Sequence, residues 1–143
     1  MSISLGFVDE ENMSMFTDLY ELTMCASYFD NKKFEPATFD LFIRRLPPNR
    51  SYFLFAGLEQ VALFLERVKF NEEHLAFLKR QGFNEEFLDY LRNFKFTGEV
   101  WSLPEGTIAF PSEPLIRVTA PIIEAQLIET FILNTVNLQT TIA

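Results

Sequence analysis

Residues 38–45 read Thr-Phe-Asp-Leu-Phe-Ile-Arg-Arg. In an extended chain Phe39, Leu41 and Ile43 share one face while Thr38, Asp40, Phe42 and Arg44 share the other, which is the two-residue period of a strand. Pro47-Pro48-Asn49-Arg50 forces a turn directly afterwards, and residues 52–55 read as a short return strand. Residues 38–55 are therefore predicted to form a hairpin. Helical periodicity on both sides of it makes the chain α/β of the α+β type, with a small, mostly antiparallel sheet and packed helices.

Upstream, a helix is expected over about 17–30, capped by Thr17 or Asp18, with Leu22, Cys25, Ala26 and Phe29 on its apolar stripe. Residues 1–13 show no period and read as a loosely held leader. Downstream of Gly57, the stripe Leu58, Val61, Ala62 and Leu65 marks a helix ending near Arg67. An internal repeat follows: Phe70-Asn71-Glu72-Glu73-His74-Leu75 is echoed by Phe83-Asn84-Glu85-Glu86-Phe87-Leu88. Each copy has an Asn cap, two acids in the first turn where the helix dipole favours them, and a Phe that can staple onto the following Leu. Gly82 ends the first of these helices.

From residue 97 the pattern returns to strand, with runs at 100–103, 107–110 and 115–119 punctuated by Pro104-Glu105-Gly106 and Pro111. Pro121 is suited to open a helix. On that last helix Leu127, Phe131 and Leu138 fall on one face with Ile128 and Ile132 beside it, and Thr130, Asn134, Asn137 and Thr141 form a polar stripe. Polar side chains on an apolar helix need partners once buried. Nothing caps the helix before Ala143, so it is expected to run on into further chain; a frayed terminal helix is the alternative. The domains are then a leader over 1–13, an α/β domain over 14–120 and a long helix over 121–143.

The chain has 143 residues, 48% of them hydrophobic, which suffices for one core, and 17 are Phe, so flat rings dominate it. A formal net charge of −8 argues against a nucleic-acid partner. The single cysteine, Cys25, excludes an internal disulfide framework and fits a reducing compartment. The N-terminus lacks a basic region, and Asp9, Glu10 and Glu11 interrupt any signal-like apolar run. The one stretch of membrane length, 122–142, carries Glu124 and Glu129, which rules against a spanning helix. A cytoplasmic protein is expected.

Chemistry-bearing groups are few. There is no Gly-rich phosphate loop and no Cys/His cluster. Cys25 reads as a small buried hydrophobe on its stripe rather than a nucleophile. His74 lacks further metal ligands nearby and reads as a solvated helix residue. Three places stand out. Thr17-Asp18-Leu19-Tyr20 opens a helix, whose N–H groups and dipole welcome an anion. Arg44-Arg45, with Arg50 beyond, suits a phosphate or carboxylate, or else ordinary surface ion pairing. The Thr/Asn stripe of the last helix is the third, with a capped polar seam as the alternative.

Four blocks resemble the nicotinate phosphoribosyltransferase family: Phe16-Thr17-Asp18-Leu19-Tyr20-Glu21-Leu22-Thr23-Met24; Phe39-Asp40-Leu41-Phe42-Ile43-Arg44-Arg45-Leu46-Pro47 followed by Phe55-Ala56-Gly57-Leu58; Leu103-Pro104-Glu105-Gly106 with Phe110-Pro111; and Leu127-Ile128-Glu129-Thr130 through Asn134 to Ala143. The resemblance runs from about residue 14 to 143 and corresponds to about a third of a family member. It implies the N-terminal domain of a type II phosphoribosyltransferase, whose last helix enters an α/β barrel. It implies an enzyme of NAD synthesis that forms nicotinate mononucleotide from nicotinate and phosphoribosyl pyrophosphate, with ATP hydrolysis and Mg2+, in head-to-tail homodimers that share sites. By the same resemblance Tyr20 stacks on the pyridine ring, Asp18 belongs to the same substrate-binding motif, and Arg44 and Arg45 match the basic pair near the phosphates. The family's reactive His and ribose-phosphate loop belong to the barrel, so these residues alone are expected to show no turnover and to hold no metal or catalytic residue. A nicotinamide or quinolinate enzyme, or a non-catalytic α/β interaction module, is the alternative.

Overall fold

The computed structural model describes residues 4–5 and 8–143. Of the leader expected over 1–13, residues 1–3 and 6–7 lie outside the described residues. The remainder pairs β1 (Ser4–Leu5) antiparallel with β2 (Val8–Asp9), and a single 3-10 turn (Met13–Met15) follows, with Met13 buried.

The main sheet has three antiparallel strands, with β7 (Ile116–Pro121) between β3 (Pro36–Leu41) and β5 (Glu99–Ser102). β7 takes the centre because its alternation is clean: Ile116, Val118 and Ala120 are buried while Arg117 points out. Glycine is required at Gly98, where a Cβ would stand 2.4 Å from the Ala120 Cβ and 2.8 Å from the Thr119 carbonyl oxygen.

The predicted hairpin over 38–55 does not form. β3 ends at Leu41 and pairs along its whole length with β7, from Pro36 opposite Pro121 to Leu41 opposite Ile116. The short β4 (Phe53–Leu54) pairs instead with β6 (Ile108–Ala109) in a separate two-stranded ribbon. Alternation reports a face and not a partner, and β7 offers six matched positions where 52–55 offers a short apolar run.

The helices follow local signals closely. α1 spans Leu19–Asp30, α2 Leu58–Arg67, α3 Glu72–Arg80 and α4 Glu85–Arg92. Both repeat caps are in place: the Asn71 side chain accepts the His74 N–H at 2.9 Å, and the Asn84 side chain accepts the Phe87 N–H at 2.8 Å. Phe70, Leu75 and Leu88 are buried behind them, and Gly82 has the left-handed φ of +96° that stops α3.

The core runs from α1 through α2–α4 to the inner sheet face, with Phe53, Phe55, Phe64, Phe87 and Phe131 fully buried. Each such ring contributes at most about 1.5–3 kcal/mol of burial. Phe64 of α2 stacks on Phe131 at 3.8 Å between centroids and 8° between planes.

Two expectations for the last helix are corrected. Pro121 does sit at a helix start, but the helix is broken at Ile128 (φ −91°, ψ −7°) into α5 (Ile122–Leu127) and α6 (Glu129–Ile142). The break resets the phase, so α6 buries Phe131, Ile132, Thr135, Val136 and Thr140 and leaves Leu138 63% exposed. The Thr/Asn stripe consequently faces outward: Asn134, Asn137 and Thr141 are exposed and Thr130 is half-buried. Among the described residues no helix is long and apolar enough to cross a membrane.

Candidate functional site

The three places marked in the sequence converge on the first turn of α6. Asp18 occupies the N-cap position of α1 in an extended conformation (φ −80°, ψ 143°), yet its side chain caps nothing. Its Oδ2 instead accepts from the Thr130 hydroxyl at 3.3 Å, across 112 positions of sequence. Tyr20, one half-turn into α1, is 51% exposed, and Leu19, Met24 and Phe16 beside it are also exposed, so an aromatic face stands in an apolar surround. Desolvation first, then the charges of Glu129, Glu21 and Asp18, push the Tyr20 phenol above its ordinary range, so the ring stays neutral at physiological pH.

On the other side of α6, residues 42–45 leave the sheet and, with Asp40 and Leu41 at the end of β3, face Glu129, Leu133 and Asn137 across an open groove of about 550 Å³. The Leu115 N–H donates to Leu41 O at 2.8 Å and the Ser112 N–H to Ile43 O at 2.8 Å, which fixes the path of this exit. Asp40 is matched by Arg117, its cross-strand partner, through two bonds of 2.7 and 2.8 Å that hold its carboxyl below the ordinary aspartate range. Arg44 and Arg45 are exposed, and neither forms an ion pair with a described residue. Their guanidinium groups are available to a ligand.

Glu129 joins the two sides. Its Oε2 accepts from the Gln126 side chain at 2.7 Å, it lines the arginine groove, and its charge reaches Tyr20 and Glu21. A smaller apolar cavity of about 120 Å³ runs behind it between the inner sheet face and α5–α6, lined by Phe39, Leu41, Val118 and Ile132 among others. An aromatic face, acidic acceptors and a pair of free guanidiniums thus lie around one helix end. That set can grip a flat ring on one side and an anion on the other.

Neither Glu21 nor Glu129 was singled out from the sequence. Glu21 is fully buried at the third position of α1, where a carboxylate is ordinarily a solvated dipole partner, and only its place inside the motif pointed to it. Glu105 was also passed over as part of a turn. Its Oε1 accepts the backbone N–H groups of Gly57 and Leu58, so it caps α2 in place of a side chain that Gly57 lacks. The adjoining Ala56 N–H donates to the Thr140 hydroxyl at 3.1 Å, and that hydroxyl donates to Ala56 O at 3.2 Å. Phe55-Ala56-Gly57-Leu58, held by Glu105, is therefore part of the seat on which α6 rests.

The two side chains set aside in the sequence fare differently. Cys25 is fully buried, its thiol 3.6 Å from Ile123 O, and burial pushes it far up, as befits a core residue. His74 is not simply solvated: it is half-buried, and its Nδ1 accepts the Asn71 N–H at 3.3 Å in a reciprocal capping box. The same Nδ1 lies 3.2 Å from the Ser14 hydroxyl. No group of three or more His, Cys, Asp or Glu among the described residues could hold a metal ion.

Comparison with known proteins gives one consistent result. Residues 15–137 match the family described as the nicotinate phosphoribosyltransferase N-terminal domain. A nicotinate phosphoribosyltransferase of Mycobacterium tuberculosis, pncB2, is 50% identical over 131 residues, covering 91% of this chain and 28% of the relative. The Bacillus subtilis nicotinate phosphoribosyltransferase is 46% identical over 143 residues, covering 99% of this chain and 29% of the relative. The crystal structure of the human nicotinic acid phosphoribosyltransferase superposes with a TM-score of 0.82 at 33% identity, over 88% of this chain and 26% of that one. A nicotinate-nucleotide pyrophosphorylase of Pyrococcus furiosus shares the fold, with a TM-score of 0.67 at 20% identity. The chain spans less than a third of the length of these curated relatives.

Proposed function

This chain belongs to the nicotinate phosphoribosyltransferase family through its N-terminal domain, and from that premise we propose that it lends one wall to the active site of an enzyme joining nicotinate to phosphoribosyl pyrophosphate. The products are nicotinate mononucleotide and pyrophosphate, with ATP hydrolysis coupled to the reaction, as a step of NAD synthesis in the cytoplasm. The observation that supports the reading is the meeting of Asp18 and Thr130 at the start of α6, next to the exposed Tyr20 ring and close to the groove that Arg44 and Arg45 line with Glu129.

Each group has a part suited to its chemistry. The Tyr20 face stacks on an electron-poor pyridine carboxylate, with Asp18 beside it, while the planar forks of Arg44 and Arg45 take phosphate oxygens in pairs. Departure of pyrophosphate from the ribose builds positive charge on the sugar ring, so holding the two reactants in line and neutralising the leaving group supply most of the acceleration. In this reading Mg2+ and ATP are held by the remainder of the enzyme. The exposed surround of Tyr20 (Leu19, Met24 and Phe16) supports a homodimer in which this face completes the partner's site.

The test is steady-state pyrophosphate release by the full-length enzyme offered nicotinate, nicotinamide or quinolinate. Turnover of nicotinate above the other two is expected, with none from residues 1–143 alone. Preference for nicotinamide or quinolinate, or nicotinate turnover by the isolated residues, contradicts the proposal.

A further inference from the structure

We propose that Glu21 is a positioning residue for the ring-binding face: its buried carboxyl holds the Thr17-Asp18 entry to α1, and so sets where the Tyr20 ring stands and where the Asp18 carboxylate meets Thr130 of α6. The proposal rests on the reading of Tyr20 given above.

Glu21 is the third residue of α1, from which a glutamate ordinarily reaches back to the N–H of the N-cap residue and remains solvated. Here the Asp18 N–H still acts on the carboxyl, but the group is not solvated. The side chain has no exposed surface, its Oε2 accepts from the Thr17 hydroxyl, and its Oε1 has no hydrogen-bond partner. Asp18 caps no helix N–H and turns instead to Thr130. Asp18 thus reaches across to α6, while Glu21 stays buried against the Thr17 hydroxyl at the entry to α1.

The electrostatics fit an anchoring role. Burial drives the Glu21 carboxyl above the ordinary glutamate range and the Glu129 charge adds to this, while hydrogen bonds from Thr17 and Thr130 pull the other way. Thr130 ties α6 to Asp18, the residue flanked by Thr17 and by the buried Glu21 in the same turn. A buried carboxyl oxygen without a partner is costly, and an apolar residue of similar volume would pack here without that cost. A helix start alone does not need such a group. The neighbours it organises, Thr17, Asp18, Tyr20 and Thr130, are the residues around the proposed ring site.

The experiment measures the Michaelis constants for nicotinate and phosphoribosyl pyrophosphate, kcat and Tm in the full-length enzyme, for Glu21→Ala, Glu21→Gln and Tyr20→Ala. A displacement of about 1 Å can cost about a hundredfold. Glu21→Ala is therefore expected to raise the nicotinate constant by on the order of tenfold or more, leaving that for phosphoribosyl pyrophosphate unchanged. Glu21→Gln, which keeps the acceptor for Thr17, is expected to restore it. A lowered Tm with an unchanged nicotinate constant, or an equal rise for both substrates, overturns the proposal. Should Glu21→Ala not fold, Thr17→Val removes the hydroxyl from which the Glu21 carboxyl accepts and is expected to give the same selective rise; an unchanged nicotinate constant there overturns it as well. If Tyr20→Ala raises the nicotinate constant while Glu21→Ala does not, only the role of Glu21 fails. If neither does, the ring-site reading fails and takes this proposal with it.

Discussion

The Glu105 carboxylate accepts the backbone N–H of Leu58 at 2.9 Å, across 47 positions of sequence. It accepts the Gly57 N–H as well, and so serves as the N-cap of α2 from outside the helix. Because Gly57 carries no side chain and has a left-handed φ of +106°, no neighbouring group replaces it. Glu105→Ala is expected to destabilise the chain by about 1 kcal/mol, within the ~0.5–2 kcal/mol typical of a lost cap, with Glu105→Gln recovering part of the loss. Urea unfolding reads the difference; a midpoint unmoved by Glu105→Ala would show that water serves α2 equally well.

His74 makes stability fall on the acid side. Burial, opposed only by Glu73, holds its imidazole below the ordinary histidine range, because Nδ1 must stay unprotonated to accept from Asn71. A histidine with a depressed folded-state value favours folding above its unfolded value, and that contribution is lost as pH falls below about 6.5. His74→Gln keeps an acceptor at the third helical position but does not titrate. Melting curves between about pH 5 and 7.5 should show a shallower acid decline for His74→Gln than for the unaltered chain; parallel declines would place the titration elsewhere.

Two glycines should respond unequally to the same methyl group. A Cβ on Gly98 would meet the Ala120 Cβ at 2.4 Å and the Thr119 carbonyl oxygen at 2.8 Å, whereas one on Gly82 meets nothing within 4 Å. Gly82→Ala then costs only the left-handed backbone, about 1–2 kcal/mol, while Gly98→Ala must push β5 off β7 and costs about 1–3 kcal/mol or more. A melting temperature left unchanged by Gly98→Ala would contradict the strand contact.

The elements the sequence disclosed are those set by local chemistry. The Asn71 and Asn84 caps, the Gly82 stop and the inward stripe of Leu22 and Cys25 each depend on neighbours a few positions away. Strand partnership does not: β3 chose β7 rather than 52–55, and only the buried alternation of Ile116, Val118 and Ala120 distinguishes the two. The break at Ile128 carries no Gly or Pro to announce it, so Leu138 reads as a partner of Leu127 and Phe131 although it is exposed, and nothing in the spacing marks Thr135 and Thr140 as buried. Around the candidate site, Tyr20 and the Arg44–Arg45 pair stood out by residue type and motif. Glu21 did not, since a carboxylate in the first turn of a helix ordinarily stays solvated and its burial is decided by tertiary packing that sequence spacing does not show.

The most direct test of the central claim is the dissociation constant of nicotinate from the full-length enzyme carrying Tyr20→Ala, beside Tyr20→Phe. Stacking of a flat heterocycle on an aromatic side chain is worth about 1–3 kcal/mol, so Tyr20→Ala should weaken nicotinate binding by roughly fivefold to a hundredfold while Tyr20→Phe and Tm stay close to those of the unaltered enzyme. An unchanged dissociation constant with a lowered Tm would contradict the account and make Tyr20 a packing residue.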